Sequence, residues 1–510
     1  MCKNSGCNLF LHIHQIMDNM KKYILMISLM AACMTAGAQG WNIKWNVDTY
    51  MLAGTGDYLP FWARTGHDGI LPYSSSGVVA GGADVSYNAS NGIFFEAGAN
   101  LVGSAASRNP WQKDQVSGIV DRLYVSGGWK MLRLDVGMIP RAKELGDLSI
   151  SGGDIMWSGN ARNIPGINAS TDWIYFEKGH WFGFKGNLAH YQLIDNRYVK
   201  GAMIHNKELA VKFALGKKVD FIAGFGHWAH WGGNSPKYGD YPVSLRDYYR
   251  IFMALSGGED ASASDQVNVL GNHLGREYIR VDWRASAFTM TFQYDKPFED
   301  RSGMKFKNAP DGIWTLKFSF KDRKALVTDV LYEHIRTTWQ TGPYHDRPAT
   351  PEEMEKQDPN DHYYGKIVLG GCDNYFSNGE YKSGWTNYGR IIGLPLILPY
   401  APDKDGICLG IASNRVRGHH IGIRGIVFED VPYTFKGTFT HNYGRYHQGE
   451  SSFFATTPWQ LSLALEVELG RSVTNLPLTF AIGAYGDIGK VYRNSAGLTL
   501  RISYRDFRGL

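Results

Sequence analysis

Histidine pairs are the first residues in this sequence whose type and spacing could do chemistry. His227 and His230 are three positions apart, a separation that would let both imidazoles reach one metal ion on a helix. The run at 221–225 alternates apolar residues and predicts a strand, where residues three apart face opposite sides. The adjacent pairs at 333–334 and 419–420 would point apart in the same way. The spacing therefore favours neither a metal site nor a cofactor.

Nucleophilic catalysis has no local signature in the sequence. There is no Gly-x-Ser-x-Gly elbow, and the Ser-Gly-Gly steps at 151–153 and 256–258 are not followed by the Lys-Ser/Thr pair of a phosphate loop. A triad assembled from distant residues in a membrane wall stays open as an alternative. We expect a protein that is not an enzyme.

Segments that mix aromatic residues with Asn, Asp and Arg could do a third kind of chemistry, the binding of sugars. Aromatic faces pack on the C–H faces of pyranose rings, amides and acids bind hydroxyls, and arginine pairs with acidic glycans. Loop packing with a membrane-interface girdle is the alternative reading of the same residues. The candidate glycan-binding residues are Arg162, Trp231, Asn234, Asp373, Asn374, Trp385 and Arg390.

The elements that would position these residues are predicted by alternation. In a strand, successive side chains point to opposite faces, and several runs place apolar residues on one face and Thr, Ser, Arg, Asp or Glu on the other. Because the second face is charged, it predicts a wet or filled interior. These runs are 132–138, 279–284, 288–294, 314–320, 461–469 and 498–504.

A barrel in a membrane fits this pattern better than a soluble β-sandwich, whose strands would also alternate. The runs suit the roughly 9–11 residues of a tilted spanning strand, and charged residues recur on the polar face up to the last strand. Aromatic residues are abundant, yet mean hydropathy is −0.29, as expected when only alternate residues face lipid. The sequence predicts an all-β fold, a transmembrane outer-membrane β-barrel of about eighteen antiparallel strands.

Longer inserts separate some of the strands and should form loops. Ser244 is expected to cap a helix in the second insert, and Thr350 to begin another short helix in the fourth. Ala285-Ser286 and the residues 321–324 are predicted to be short turns. The predicted inserts are 141–170, 231–275, 297–312, 337–385 and 445–457.

The N-terminus is predicted to be a signal peptide, residues 1–38 with its start at Met20, followed by one barrel domain over 39–510. A lipoprotein cleavage box that would lipidate Cys33 is the alternative. Beyond the leader, Cys372 and Cys408 form either a disulfide or two free thiols. The formal charge of +5, of which the leader supplies +2, is too small to indicate nucleic acid.

Ordered motifs along the chain resemble the Wzi family of capsule assembly proteins. The resemblance implies an outer-membrane barrel of about eighteen strands closed by its loops, lectin-like and not enzymatic, that attaches capsular polysaccharide to the cell surface. It lies in Ser158–Pro165, Tyr198–Lys200, His205–Leu209, His230–Gly233, Gly271–Gly275, Phe298–Asp300, Ser302-Gly303, Asn308, Pro310–Gly312, Leu331–Glu333, Ser383–Thr386, Gly389-Arg390 and Asn414–Val416.

The expected partners are capsular or another surface polysaccharide, outer-membrane lipid and the barrel assembly machinery. The expected location is the cell outer membrane. A sugar-permeable porin or channel is the alternative function, and an outer-membrane hydrolase is a third.

Overall fold

The computed structural model describes residues 40–108, 115–176, 179–267, 269–344, 347–356, 363–364, 367–368, 371–428 and 430–509. The predicted signal peptide and the alternative lipidation at Cys33 lie outside these residues. Within them, no helix is long and apolar enough to cross a membrane.

Eighteen antiparallel strands in the described residues form a closed barrel, because the last strand pairs with the first along their length. The predicted fold class is confirmed. The strands are β1 Trp41–Gly54, β2 Ser76–Asn88, β3 Ile93–Ala106, β4 Val116–Trp129, β5 Leu132–Met138, β6 Gly166–Thr171 continued by Ile174–Tyr175, β7 Phe182–Gln192, β8 Met203–Leu215, β9 Val219–Trp231, β10 Asn272–Arg284, β11 Phe288–Phe298, β12 Gly312–Phe320, β13 Asp329–Arg336, β14 Val416–Val427, β15 Val431–Asn442, β16 Trp459–Leu469, β17 Thr479–Gly489 and β18 Ser495–Gly509.

Alternation assigns the two faces of the wall as predicted. At the seam between β1 and β18, Met51 lies opposite Leu500 and both belong to the apolar outer face. On the inner face Ser503 donates to Asp48 within the seam, and both side chains are buried. All six alternating runs of the sequence lie in strands, so the outer surface is an apolar belt that suits lipid.

The two ends of the barrel differ. The start of β1, the end of β18 and a set of short connections, among them the predicted turns after β10 and β12, lie at one end. All five predicted inserts lie at the other end, at 139–165, 232–271, 299–311, 337–415 and 443–458, with a further long connection at 55–75. Outer-membrane barrels have short periplasmic turns and long extracellular loops. The long-loop end is therefore the extracellular end.

Short helices and hairpins occur in the connections. The Ser244 hydroxyl accepts from the Asp247 amide in a capping box, which confirms the predicted helix start, and a helix also follows Thr350 as predicted. The helices are α1 Phe61–Arg64, α2 Leu245–Met253, α3 Ala263–Val267, α4 Arg301–Met304, α5 Pro351–Lys356 and α6 Arg471–Thr474, with a 3₁₀ turn at Phe453–Thr456. The hairpin strands are Asn234–Ser235, Gly239–Asp240, Arg347–Pro348, Tyr363–Tyr364, Ile367–Val368, Thr386–Asn387, Arg390–Ile391, Leu398–Pro399 and Ile411–Ser413.

Two extracellular connections fold into the lumen, and we call residues 139–165 and 371–415 the plug. Residues 139–165 leave β5 and reach the opposite wall, where the Ile150 amide donates to Glu333 of β13 (2.9 Å) and the Ile155 amide to Asp295 of β11 (2.9 Å). Apolar side chains from both parts of the plug form one buried core with the inner wall. The polar inner face is thus filled over this level of the barrel.

Charged residues of the inner wall tie the plug in place. Arg276 of β10 is buried, and its Nη1 lies 3.0 Å from Asp154 in the plug and 3.3 Å from Asp295. The same nitrogen donates to the Gly153 carbonyl (2.9 Å). On the periplasmic side of this level lies a cavity of about 390 Å³ with charged walls that include Arg133, Asp135, Arg141, Glu144, Lys185, Glu208 and Arg276.

Candidate functional site

The two histidines that suggested a metal site face opposite sides of the wall, as the strand prediction required. His227 Nε2 lies 2.8 Å from His273 Nδ1 on the outer face. His230 points into the lumen and stacks on Tyr381 of the plug at 5.5 Å. Among the residues that the structure describes, no group of three or more His, Cys, Asp or Glu is arranged to hold a metal.

A cavity of about 620 Å³ opens at the extracellular end, and we call it the outer cavity. The connection 55–75, the plug segment 389–402 and the loops before β16 and β18 form its walls. Three of its aromatic side chains, Tyr58, Tyr400 and Phe453, are exposed and offer faces to a ligand. The aromatic lining consists of Tyr58, Phe61, Tyr73, Tyr400, Phe453, Phe454 and Tyr492.

Arginines stand beside these aromatic rings. The guanidinium of Arg64 lies 5.1 Å from the centre of the Tyr73 ring and 5.5 Å from that of Tyr492, and Arg390 lies 4.2 Å from the Tyr73 ring. Arg493 is exposed on the opposite part of the lining. Within the described chain, none of these three arginines forms an ion pair with an acid. The acid in the lining, Asp57, pairs with Arg108 (3.2 Å). The outer cavity therefore combines aromatic faces with arginines that form no ion pair.

A smaller side cavity of about 150 Å³ adjoins the outer cavity and shares Tyr73, Gly389 and Arg390 with it. Arg162 lies in its wall, 4.3 Å from the centre of the Tyr388 ring. The plug hairpin formed by Thr386–Asn387 and Arg390–Ile391 turns at Tyr388-Gly389, and both residues have positive φ (48° and 72°). Glycine suits such a two-residue turn, which places Tyr388 and Arg390 on either side of the bend.

Arg390 is held rigidly between the two cavities. Its Nη1 donates to the Arg64 carbonyl (2.8 Å) and its Nη2 to the Leu71 carbonyl. Burial lowers the pKa of Arg390, and the positive charges of Arg64 and Arg162 lower it further, while Tyr73 opposes them. Burial also lowers the pKa of Arg162. An anion bound here would be stabilised by three like charges that repel each other in its absence.

Of the seven residues that the sequence singled out, the structure brings Arg162 and Arg390 together at these cavities. Asn234 is exposed on a separate hairpin, where its side chain donates to Asp240 (2.7 Å). Glycan contact by any of the seven remains a prediction.

The two predicted tryptophans are packed inside protein. Trp385 is 0% exposed, and its Nε1 donates to the Met156 carbonyl across the two parts of the plug (2.7 Å). Trp231 is buried on the outer wall of β9, packed against His190 and Tyr248. Neither indole has a face that a glycan ring can reach in this structure.

Asp373 and Asn374 fasten the start of the plug's second part to its surroundings. Buried Asp373 accepts from Thr341 (2.7 Å), and burial raises its pKa to about 7. The Asn374 amide donates to Glu299 (3.0 Å), whose pKa burial also raises. Through these contacts Asp373 and Asn374 anchor the plug to the neighbouring loops.

The connection 55–75, which supplies Tyr58, Arg64 and Tyr73, was not among the predicted inserts. The signal for it was present in the sequence. Residues 54–57 read Gly-Thr-Gly-Asp and Pro60 follows, and such a cluster breaks strand alternation. Cys372 and Cys408, for which a bridge and free thiols were both open, are free.

Comparison with known proteins supports the fold. A scan against protein-family models finds no match, and a search of curated protein sequences finds no relative. Among solved structures the chain is similar to Wzi of Escherichia coli, an outer-membrane protein involved in group 1 capsule assembly and a carbohydrate-binding β-barrel. The TM-score is 0.52 at 11% identity, covering 93% of this chain and 86% of that one.

OccK5 (OpdH) of Pseudomonas aeruginosa matches with a TM-score of 0.45 at 9% identity, covering 93% of this chain and 100% of that one. OccAB1 of Acinetobacter baumannii matches with 0.47 at 9% identity, covering 92% and 98%. The closed wall of eighteen strands and its apolar outer belt make the chain an outer-membrane β-barrel.

Proposed function

We propose that this barrel is a lectin-like protein that attaches an acidic polysaccharide, such as a capsule, to the cell surface. One observation carries the proposal. Arg64, Arg162 and Arg390 lie beside aromatic faces in two joined cavities at the extracellular end, and none of them forms an ion pair within the described chain. The similarity to Wzi, itself a carbohydrate-binding barrel of capsule assembly, supports the same class of ligand.

The chemistry of the cavities suits a polymer that contains uronic acids or other anionic sugars. Exposed rings such as Tyr58 and Tyr400 can pack on pyranose C–H faces. Arg64 uses its Nε to bind the Leu59 carbonyl (3.1 Å), which fixes the plane of the guanidinium. Its two terminal nitrogens donate to no atom of the described residues. Together they can donate two parallel hydrogen bonds to the two oxygens of a carboxylate.

Replacing Arg64 by glutamine is expected to weaken binding of an acidic polysaccharide about tenfold or more, because a hydrogen bond to a charged group contributes roughly 1.5–3 kcal/mol. Binding of purified anionic capsular polysaccharide to the barrel in detergent micelles is the measurement, with neutral dextran as the comparison ligand. Arg323→Gln is the matched control, since Arg323 lies on a periplasmic turn. Unchanged affinity in both Arg64→Gln and Arg162→Gln would sink the proposal.

The porin alternative makes a different prediction for the lumen. The plug joins opposite walls through buried hydrogen bonds, including those to Glu333 and Asp295. We therefore expect no stable open-channel conductance in planar bilayers for the intact protein. Steady conductance that small sugars block would favour a transport function over attachment.

A further inference from the structure

A band of polar side chains on the outer face of the barrel, just below the extracellular rim, is out of place for a surface that meets lipid. Register pairs His205 with Ala229 and Ala229 with His273, and pairs Lys207 with His227, so these side chains share one face. That face is the outer one, because Leu209, two residues beyond Lys207, is 54% exposed. Glu277 is opposite Phe225, two residues before His227 on the same face, and it forms an ion pair with Lys296 on the next strand (2.9 Å). We call His205, Lys207, His227, His273, Glu277 and Lys296 the rim patch.

Protein covers the rim patch from outside the barrel. The hydroxyl of Tyr248 in α2 lies 3.2 Å from His205 Nδ1, and Lys207 donates to the Phe252 carbonyl at the end of the helix. Ile251 is fully buried in a small cluster with Ala229 on the wall. The loop 232–271 therefore folds down over the outer wall, and α2 is packed on the outside of the barrel.

Beside the face that packs on the wall, α2 carries a second apolar stripe that is uncovered. Leu245, Tyr249 and Met253 follow one another at four-residue spacing, which places them on one stripe of the helix. They are 89%, 57% and 48% exposed. Val243 and Leu255, at either end of the helix, are exposed as well. An exposed apolar stripe of this length indicates a contact surface.

The helix that carries the stripe borders the apolar belt of the barrel. Phe252 sits over Lys207, and the next outward position on β8 is Leu209, about 7 Å along the strand. From there the outer face of β8 is apolar to the periplasmic end, through Val211, Phe213 and Leu215. Helices with one apolar and one polar face lie in the boundary between headgroups and acyl chains.

We propose that α2 rests in the outer leaflet of the membrane, with Leu245, Tyr249 and Met253 in the boundary between headgroups and acyl chains. The partner is the lipid surface itself, and the contact extends the lipid-facing belt beyond the strands. Arg246 is exposed next to this stripe and lies where lipid phosphates would accept its hydrogen bonds. The inference is independent of the glycan proposal, since the rim patch and α2 are outside the barrel and the two cavities open among the loops.

Spin labelling tests this placement without disturbing the core. Cys372→Ser removes the partly exposed thiol, and Cys408 is buried and should stay unlabelled. In that background Tyr249→Cys carries a nitroxide in vesicles of phosphatidylcholine and phosphatidylglycerol. Leu209→Cys is the membrane reference, Glu450→Cys in the extracellular loop is the aqueous reference, and the background variant gives nonspecific labelling.

The expected result is that the label at 249 collides with dissolved oxygen several-fold more than with a water-soluble nickel chelate, relative to the label at 450, and resembles the label at 209. A collision profile like that at 450 would overturn the proposal, because the stripe would then face water. Protection from both reagents with spin–spin broadening would also overturn it, because a second copy of the chain would then cover the stripe.

Discussion

Replacing Trp385 by alanine is expected to lower the free energy of unfolding by about 3–5 kcal/mol, the range for removing a large aromatic side chain from a packed core. The indole packs edge-on against Trp157 (ring centres 6.5 Å apart) and against His230 (4.9 Å). Its loss would leave a cavity in the plug and the Met156 carbonyl without its donor. Urea unfolding in detergent micelles, followed by the heat-sensitive electrophoretic mobility typical of barrels, measures the change.

Trp129→Ala is the matched control, since Trp129 is 52% exposed at the periplasmic rim. It should lower stability by less than about 1 kcal/mol. The pair of variants also separates two roles for Trp385. Full stability with lost glycan binding would mean that Trp385 contacts ligand, against the packing described above. Lost stability with glycan binding retained in the folded fraction would make it a structural residue.

Arg276→Met is expected to cost about 3–5 kcal/mol of stability, because it leaves the buried carboxylate of Asp295 without its cation. The guanidinium lies between Asp154 of the plug and Asp295 of the wall, and it also binds the Gly153 carbonyl. Lowering the pH should reduce this loss, since protonation removes the negative charges that Arg276 neutralises. The same unfolding measurement at neutral and at acid pH checks both statements.

A second substitution tests whether the unpaired buried charge is the cause of the lost stability. Adding Asp295→Asn to Arg276→Met should recover part of the lost stability, because one buried charge disappears with its partner. Arg323→Met breaks a pair between the 56% exposed arginine and buried Asp329 at the periplasmic end. It should cost no more than about 1 kcal/mol, because Asp329 keeps its hydrogen bond from Thr328 (2.9 Å). If Arg276→Met is no more damaging than Arg323→Met, the plug is not held by this charge pair.

The strands were predictable because one periodicity determines them. Runs such as 461–469 alternate over their whole length, and lipid on one side with a polar interior on the other imposes that pattern on every strand of the wall. The helix after Ser244 was predictable for the same kind of reason, since the cap and the spacing of its apolar residues are local. The position of that helix outside the barrel was not, because no local pattern records which surface a loop covers.

The candidate site was predictable only in part. Residue types that bind sugars also pack loops, so composition selected Arg162 and Arg390, which line the cavities, together with Trp385, which lies inside the plug. The cavities join residues from 55–75 with residues near 390, 453 and 492, far apart in the sequence. These residues come together because the barrel closes and because the plug follows a particular path through the lumen. Neither the closure nor the path can be predicted from a local sequence pattern.

The pairing of β1 with β18 has a consequence for how the protein bears load. The seam joins the two ends of the barrel from Asn42 to Gly54, so the wall offers no free edge from which a strand could peel away. The plug enters the lumen from extracellular connections in the middle of the chain, so each of its parts is tied to the wall by the strands before and after it. Tension applied at the extracellular end would therefore be shared around the whole circumference, and the working lifetime of the protein would be set by the rate at which one complete seam ruptures.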